Sequence, residues 1–333
     1  MKIAVAMATS RVGREILNIL DERDLPVQEV AVLDAKELEG QEISFGKSKI
    51  LQTQSLDDHD FAGTDIAFFA AQEKISAIYA KTAAQSGCIA IDSSSYFSAQ
   101  EDVPLIIPEV NSHSAIRHKN IIASPGCLAI QILTALKSLH DIAIIRRLVA
   151  STYQSVSDLA KEGMDELYDQ TKAMYTNQPV SEKIFGRRIA FNCIPQVGEF
   201  MEDGHTKAEW RMGAEIQKIL GQDVKINVTC VYVPVFVGNA VSVSVEFQNR
   251  ITEQDVFYAL SKAPGVVIAD KRQDGGYATP IDCVGEYPVY VSRIRADPTA
   301  ENSINMWVVT DNLYKGAALN MVQIAELLTG NIA

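Results

Sequence analysis

Short apolar runs alternate with amphipathic stretches through the first third of the chain, and that alternation limits the fold more than any other feature. Residues 3–7 read as a buried strand, and the next segment carries Val12, Ile16, Leu17, Ile19 and Leu20 at helical spacing. VQEVAVLD (27–34), DIAFFAA (65–71), CIAID (88–92) and IIAS (121–124) read as further strands, with a helix near 73–86. This strand–helix–strand order predicts a mostly parallel, doubly wound sheet. EISFGKSKILQT (42–53) reads as a hairpin inserted after the second strand.

The pattern changes after Cys127. A helix over 128–140 leads to the strand IIRRLVASTYQ (144–154), and a long helix follows over about 156–175. Long alternating strands come next: DVKINVTCVYVPV (223–235), GNAVSVSVEF (238–247), PVYVSRIR (288–295) and INMWVVTDN (304–312). They predict a mixed or antiparallel sheet with helices on one face. An amphipathic helix over about 315–330 is expected to return to the first domain. With 333 residues, two domains are expected. The first is a Rossmann-type, dinucleotide-binding-like α/β domain of residues 1–127 with 315–333. The second is an α+β domain of residues 128–314.

Composition narrows the partners. Thirty Lys and Arg against 42 Asp and Glu give a net charge of −12, which argues against a general nucleic-acid or polybasic membrane binder. The chain opens MKIAVAMATSRVGRE, with no long apolar stretch, and it holds no run of 18 apolar residues. Cys88, Cys127, Cys193, Cys230 and Cys283 are scattered without a Cys-x-x-Cys pair, so a metal site is not expected. Free thiols and a cytoplasmic location are expected.

Three places carry chemistry. The first strand runs into ATSRVG (8–13), where a Rossmann turn would present glycines to a pyrophosphate. Only Gly13 remains, although Thr9 and Ser10 can cap the helix; a plain capped turn is the alternative. Asp34 ends the second strand, where an acidic residue can hold a ribose hydroxyl. Ser124-Pro125-Gly126-Cys127 places a thiol at a helix start, where the dipole and free N–H groups lower a thiol pKa. Cys127 is the candidate nucleophile, with a small buried cysteine as the alternative. Such a thiol normally works with a histidine. His59, His113, His118, His140 and His205 all fall in polar or helix-end positions.

STYQSVS (151–157), DVPLIIPEVN (102–111), VPVFVGN (233–239), FNCIPQVGEF (191–200) and DNLYKGAALNMVQIAE (311–326) occur together in this order. With these motifs the chain resembles the bacterial aspartate-β-semialdehyde dehydrogenases over nearly all of residues 1–330. The resemblance implies a Rossmann domain plus an α+β catalytic and dimerisation domain, in homodimers or tetramers. It implies NADPH-dependent reduction of aspartyl phosphate to the semialdehyde, towards lysine, threonine and methionine.

Carried over residue by residue, the resemblance keeps the thiol as Cys127 and the substrate-orienting glutamine as Gln154. Asn312 and Gly316 are kept on the C-terminal side of the cofactor site. The Pro-Gly-Cys form of the thiol segment is similar to that of the N-acetylglutamyl-phosphate reductases. Other positions differ. The family base, a histidine, is Asn239 here, and asparagine cannot exchange a proton near pH 7. The substrate arginine before Val-Pro-Val is Tyr232, and the phosphate-holding arginine is Ser98. Arg211 replaces a lysine, and Ala208 replaces an acidic residue, with Glu209 beside it. Met7-Ala8-Thr9-Ser10-Arg11-Val12-Gly13 replaces the glycine-rich cofactor turn, Glu37 replaces the reader of the 2′-phosphate, and Ser157-Asp158-Leu159-Ala160 replaces a Ser-Gly-Ala-Gly loop.

The expected reading is therefore a retained fold whose usual reaction is lost or replaced, with a small-molecule ligand. A homodimer is the expected assembly, a tetramer or a heteromer with an active paralogue being further options. The alternative is a working dehydrogenase with unusual residues. NADP or NAD is the cofactor that the resemblance implies. Asp34 and Glu37 favour NAD.

Overall fold

A computed structural model describes residues 1–23, 25–46 and 49–330. The chain divides into two compact units, Met1–Gly126 with Gly316–Ala333, and Cys127–Lys315. Cys127 and Lys315, assigned from sequence to the first domain, lie in the second unit.

The first unit is a parallel sheet flanked by helices. Its strands are β1 (Lys2–Ala6), β2 (Glu29–Asp34), β5 (Gln54–Ser55), β6 (Ile66–Phe69), β7 (Ile89–Asp92) and β8 (Ile121–Ala123), in the order β5-β2-β1-β6-β7-β8. The order reverses at β1, so chain crossovers leave on both sides of it, as in doubly wound folds. β3 (Glu42–Phe45) and β4 (Lys49–Gln52) pair as the expected hairpin, and residues 47 and 48 of its turn lie outside the described residues. Helix Arg11–Glu22 buries Ile16, Leu17, Ile19 and Leu20, the stripe read from the sequence.

The second unit is a mixed sheet. Its strands are β9 (Ile145–Tyr153), β10 (Lys225–Thr229), β11 (Asn239–Phe247), β12 (Val266–Ile268), β13 (Val289–Ala296) and β14 (Ser303–Thr310). Helix Cys127–Ala143 lies against the sheet with Leu128, Ile130, Ile132, Leu133, Leu136 and Leu139 buried. Each such side chain contributes roughly 1.5–3 kcal/mol of burial.

Three expectations need correction. Residues 223–235 do not form one strand, because β10 stops at Thr229. Pro234 cannot donate to a ladder, and the chain instead pairs Tyr232 with Ile194 on one side and Gln154 on the other. The long helix over 156–175 is broken: a 3-10 turn, Val156–Leu159, precedes helix Ala160–Tyr175, and Ala160 at the join has φ +51° and ψ −143°. The last helix starts with a π-helical turn, Tyr314–Leu319, before helix Asn320–Thr329.

Candidate active site

Strand register assembles the second unit's site. Ala240 at the start of β11 pairs with Tyr153 at the end of β9, and Asn239 pairs with Thr310 at the end of β14. Gln154, Asn239 and Asn312 therefore gather at one end of three neighbouring strands. Buried Gln131 ties the thiol-bearing helix to this end by donating to the carbonyls of Asn239 (3.1 Å) and Val308 (2.8 Å).

All three carboxamides are buried, and their oxygens are taken. Asn239 Oδ1 accepts from the Ser155 backbone N–H at 2.8 Å and its hydroxyl at 3.0 Å. Asn312 Oδ1 accepts from the Gly238 N–H at 2.9 Å, and Gln154 Oε1 from the Thr152 hydroxyl at 2.9 Å. These bonds fix which way each amide faces, so every amino group points at one place.

That place is occupied by the Asp158 carboxylate. Gln154 donates to its Oδ2 at 2.8 Å and Asn312 to its Oδ1 at 2.7 Å. Asn239 shares its amino group between both oxygens, at 3.3 and 3.2 Å, and the Cys127 sulfur at 3.7 Å. Burial pushes the Asp158 carboxyl above the usual carboxylate range, against the pull of the three amides. From the sequence, Asp158 brings negative charge to a loop that in the family lies near the nicotinamide, but its contacts with the three amides are not legible there. An acid four residues after Gln154 was the available signal.

Cys127 is the first residue of its helix and is partly accessible. Its thiol is pushed well above the ordinary value, first by burial and then by the Asp158 charge. Glu215 acts in the same direction, and Arg211 and the Leu128 N–H act against it. The expectation that the helix start would lower this pKa is therefore corrected: desolvation and a neighbouring anion outweigh the N–H groups.

Arg211 donates to Glu215 at 2.7 Å, so its charge has an acidic partner one helical turn away. Glu209 caps the same helix: one oxygen accepts from Thr206 N–H at 2.7 Å and the other from Cys230 N–H at 2.9 Å. Tyr232 is buried with its ring edge-on to Phe185 at 5.2 Å. Burial, and after it the Asp158 charge, raise its hydroxyl further from ionisation. Ser98 is buried in the first unit, its hydroxyl donating to the Ser95 carbonyl at 3.3 Å, and Gly316 lies in the π-helical turn. No histidine contacts Cys127 among the described residues, and none of them forms a group of three His, Cys, Asp or Glu suited to a metal.

A pyrophosphate at the dinucleotide turn of the first unit needs free amides and a backbone it can approach. Ala8 N–H donates to Leu33 O, Ser10 N–H to Met7 O, and Gly13 N–H to the Ser10 hydroxyl, all at 3.0–3.1 Å. Thr9 donates its N–H (2.9 Å) and hydroxyl (2.7 Å) to Asp34 Oδ2, while Ala35 N–H holds Oδ1 at 2.9 Å. Asp34 is fully buried, with both of its oxygens accepting from the turn. Met7 has φ +57°, a left-handed conformation suited to the missing glycine. Gly13 is required here, since a Cβ would strike the Met7 carbonyl. Arg11 and Val12 open the helix with exposed and half-buried side chains. The N–H groups of Ala8, Thr9, Ser10 and Gly13 are therefore engaged within the turn, and the Asp34 carboxylate lies against it.

Comparison with known proteins gives consistent matches. A family model for the semialdehyde dehydrogenase NAD binding domain matches residues 2–118, and one for the semialdehyde dehydrogenase dimerisation domain matches residues 136–315. Aspartate-semialdehyde dehydrogenase of Rickettsia bellii is 47% identical over 328 residues, covering 98% of this chain and 97% of that protein. The Rickettsia typhi enzyme is 46% identical over 331 residues, with 99% and 98% coverage. Among solved structures, aspartate semialdehyde dehydrogenase II of Vibrio cholerae complexed with ASA superposes with a TM-score of 0.96 at 39% identity, covering 100% of this chain and 99% of that one. A probable aspartate-semialdehyde dehydrogenase of Pseudomonas aeruginosa gives 0.94 at 33% identity, with 99% and 98% coverage.

Proposed function

The chain belongs to the aspartate-semialdehyde dehydrogenase family, and we propose that it is a member in which the usual nicotinamide-dependent reaction has been lost or replaced. The observation that carries this reading is the Asp158 carboxylate held by Gln154, Asn239 and Asn312 beside Cys127. Thiol attack on an acyl carbon needs a thiolate and an acceptor for its proton. Burial and Asp158 keep the thiol protonated, and Asn239 offers N–H rather than a lone pair. General acid–base catalysis is typically worth 10²–10⁴-fold, so losing it adds about 3–5 kcal/mol to the barrier. Tyr232 cannot make the bidentate, charge-assisted pair with which an arginine holds a carboxylate.

The match to the NAD binding domain supports a nicotinamide cofactor. The closed turn around Asp34 stands against tight binding of a dinucleotide, and Glu37 adds like charge against a 2′-phosphate, so NAD is taken ahead of NADP. The match to the dimerisation domain supports a homodimer. The five cysteines are free, which supports a reducing, cytoplasmic setting. No described helix is long and apolar enough to cross a membrane.

A second reading is a slow, NAD-preferring dehydrogenase acting through a Cys127 thioester. The position of Cys127 at a helix start and within reach of solvent favours it. Phosphate-dependent oxidation of aspartate semialdehyde, measured with NAD and with NADP, separates the two. Loss of the reaction predicts equal background rates for the wild type and Cys127→Ala. Wild-type turnover that Cys127→Ala abolishes establishes the second reading instead.

A further inference from the structure

We propose that Gln154, Asn239 and Asn312 form a cradle for a small carboxylate, and that Asp158 fills it as a built-in ligand mounted on a strained turn. A small monocarboxylate takes the cradle when Asp158 is absent from it. The cradle belongs to the site beside Cys127, but the proposal does not rest on the loss of turnover.

The donor set defines the ligand class. Three amino groups converge on one carboxylate, and the three amide oxygens are held away from it by Ser155, Gly238 and Thr152. The amides cannot turn to accept, so the cradle suits an anion with two acceptor oxygens and does not suit a cation. Its members are neutral and buried, at 4% exposure for Gln154, 0% for Asn239 and 3% for Asn312. A single negative charge is therefore better matched than a phosphate dianion, whose second charge would lie unpaired.

The occupant differs from its cradle in two ways. Asp158 is only half-buried, and it sits on the 3-10 turn Val156–Leu159 rather than on a strand. The next residue, Ala160, holds φ +51° and ψ −143°, a conformation that disfavours any residue with a Cβ.

Cys127 reports the occupant, because Asn239 shares one amino group between the sulfur and the carboxylate. The charged groups that act on the thiol are Asp158, Glu215 and Arg211, with neutral Tyr232 nearby. The other thiols do not interfere once exposed Cys193 is removed, since Cys88, Cys230 and Cys283 are buried while Cys127 is partly accessible.

The experiment follows alkylation of Cys127 against pH in the full chain carrying Cys193→Ser, with no dinucleotide or aldehyde present. Asp158→Ala removes one carboxyl group and leaves room for formate; Asp158→Gly removes a further carbon and leaves room for acetate. Each variant is expected to react at least tenfold faster than the parent at pH 8. Formate, at constant ionic strength, is expected to slow Asp158→Ala back towards the parent rate, and acetate to do so for Asp158→Gly. Neither anion is expected to change the parent, and chloride is expected to change none of them. The two variants back each other up if one fails to fold. Variants that react no faster, or that ignore both carboxylates, overturn the proposal. So does a parent slowed as much as they are. Dehydrogenase turnover in the parent would overturn the preceding reading while leaving this one standing.

Discussion

The Asn239 side-chain nitrogen lies 3.7 Å from the Cys127 sulfur and directs an N–H at it. A donor in that place can steady a sulfur anion once formed, but it cannot take the proton that must leave first. Ser155 holds the Asn239 oxygen on the other side, so the amide cannot turn round to accept.

Asn239→His is accordingly expected to destabilise the protein without restoring the reaction. The larger ring has to fit a fully buried position, and overpacking of that kind costs about 1–3 kcal/mol. A fall of a few degrees in Tm and no detectable turnover are expected, because Asp158 and Tyr232 remain. A gain of 10² or more in rate would show that the missing base alone silences the site.

Gln131→Leu should uncouple the thiol-bearing helix from the sheet. The Asn239 and Val308 carbonyls each lose a buried donor, for a combined loss of about 2–3 kcal/mol. Urea unfolding checks this: the midpoint is expected to fall with little change in slope. An unchanged midpoint means that the helix is held by packing alone.

The Asp158 carboxyl gives a signed pH effect. Its folded pKa lies above the ordinary carboxylate value, so the folded state binds that proton more tightly than the unfolded state. Its contribution to stability is full below the ordinary carboxylate range and is lost as pH rises through the folded value. Asp158→Ala is therefore expected to gain stability relative to the wild type between pH 4 and pH 8. Thermal melts at the two pH values measure the difference. A relative loss at pH 8 would mean that the three amide bonds outweigh burial.

Dinucleotide affinity tests the closed turn. Calorimetry is expected to find neither NAD nor NADP binding more tightly than about 1 mM, with NADP the weaker. Micromolar NADP affinity would show that the turn opens at little cost despite the Thr9–Asp34 bonds.

Much of the fold is legible in the sequence because it rests on local periodicity. The helical stripe Ile16, Leu17, Ile19 and Leu20 and the buried strand runs appear where their spacing puts them. The site is less legible because it depends on register. Asp158 meets Asn239 and Asn312 only after β9, β11 and β14 align, which no local pattern records. Asp34 resembles a ribose reader by position, yet its partner is the Thr9 hydroxyl and amide across the turn. Glu209 could have been read as a cap, since Thr206 stands three residues before it in the Thr-x-x-Glu pattern. Tyr232 left its expected strand because Pro234 follows it, a signal that the alternating apolar residues masked.

The central claim is that Cys127 stays a neutral thiol under the control of its neighbours, and its titration tests that most directly. Alkylation of Cys127 in the wild-type protein, followed peptide by peptide against pH, should show half-titration well above that of an ordinary free thiol. Activated cysteines titrate between about 3.5 and 7.5. A Cys127 half-titration in that range would contradict the account.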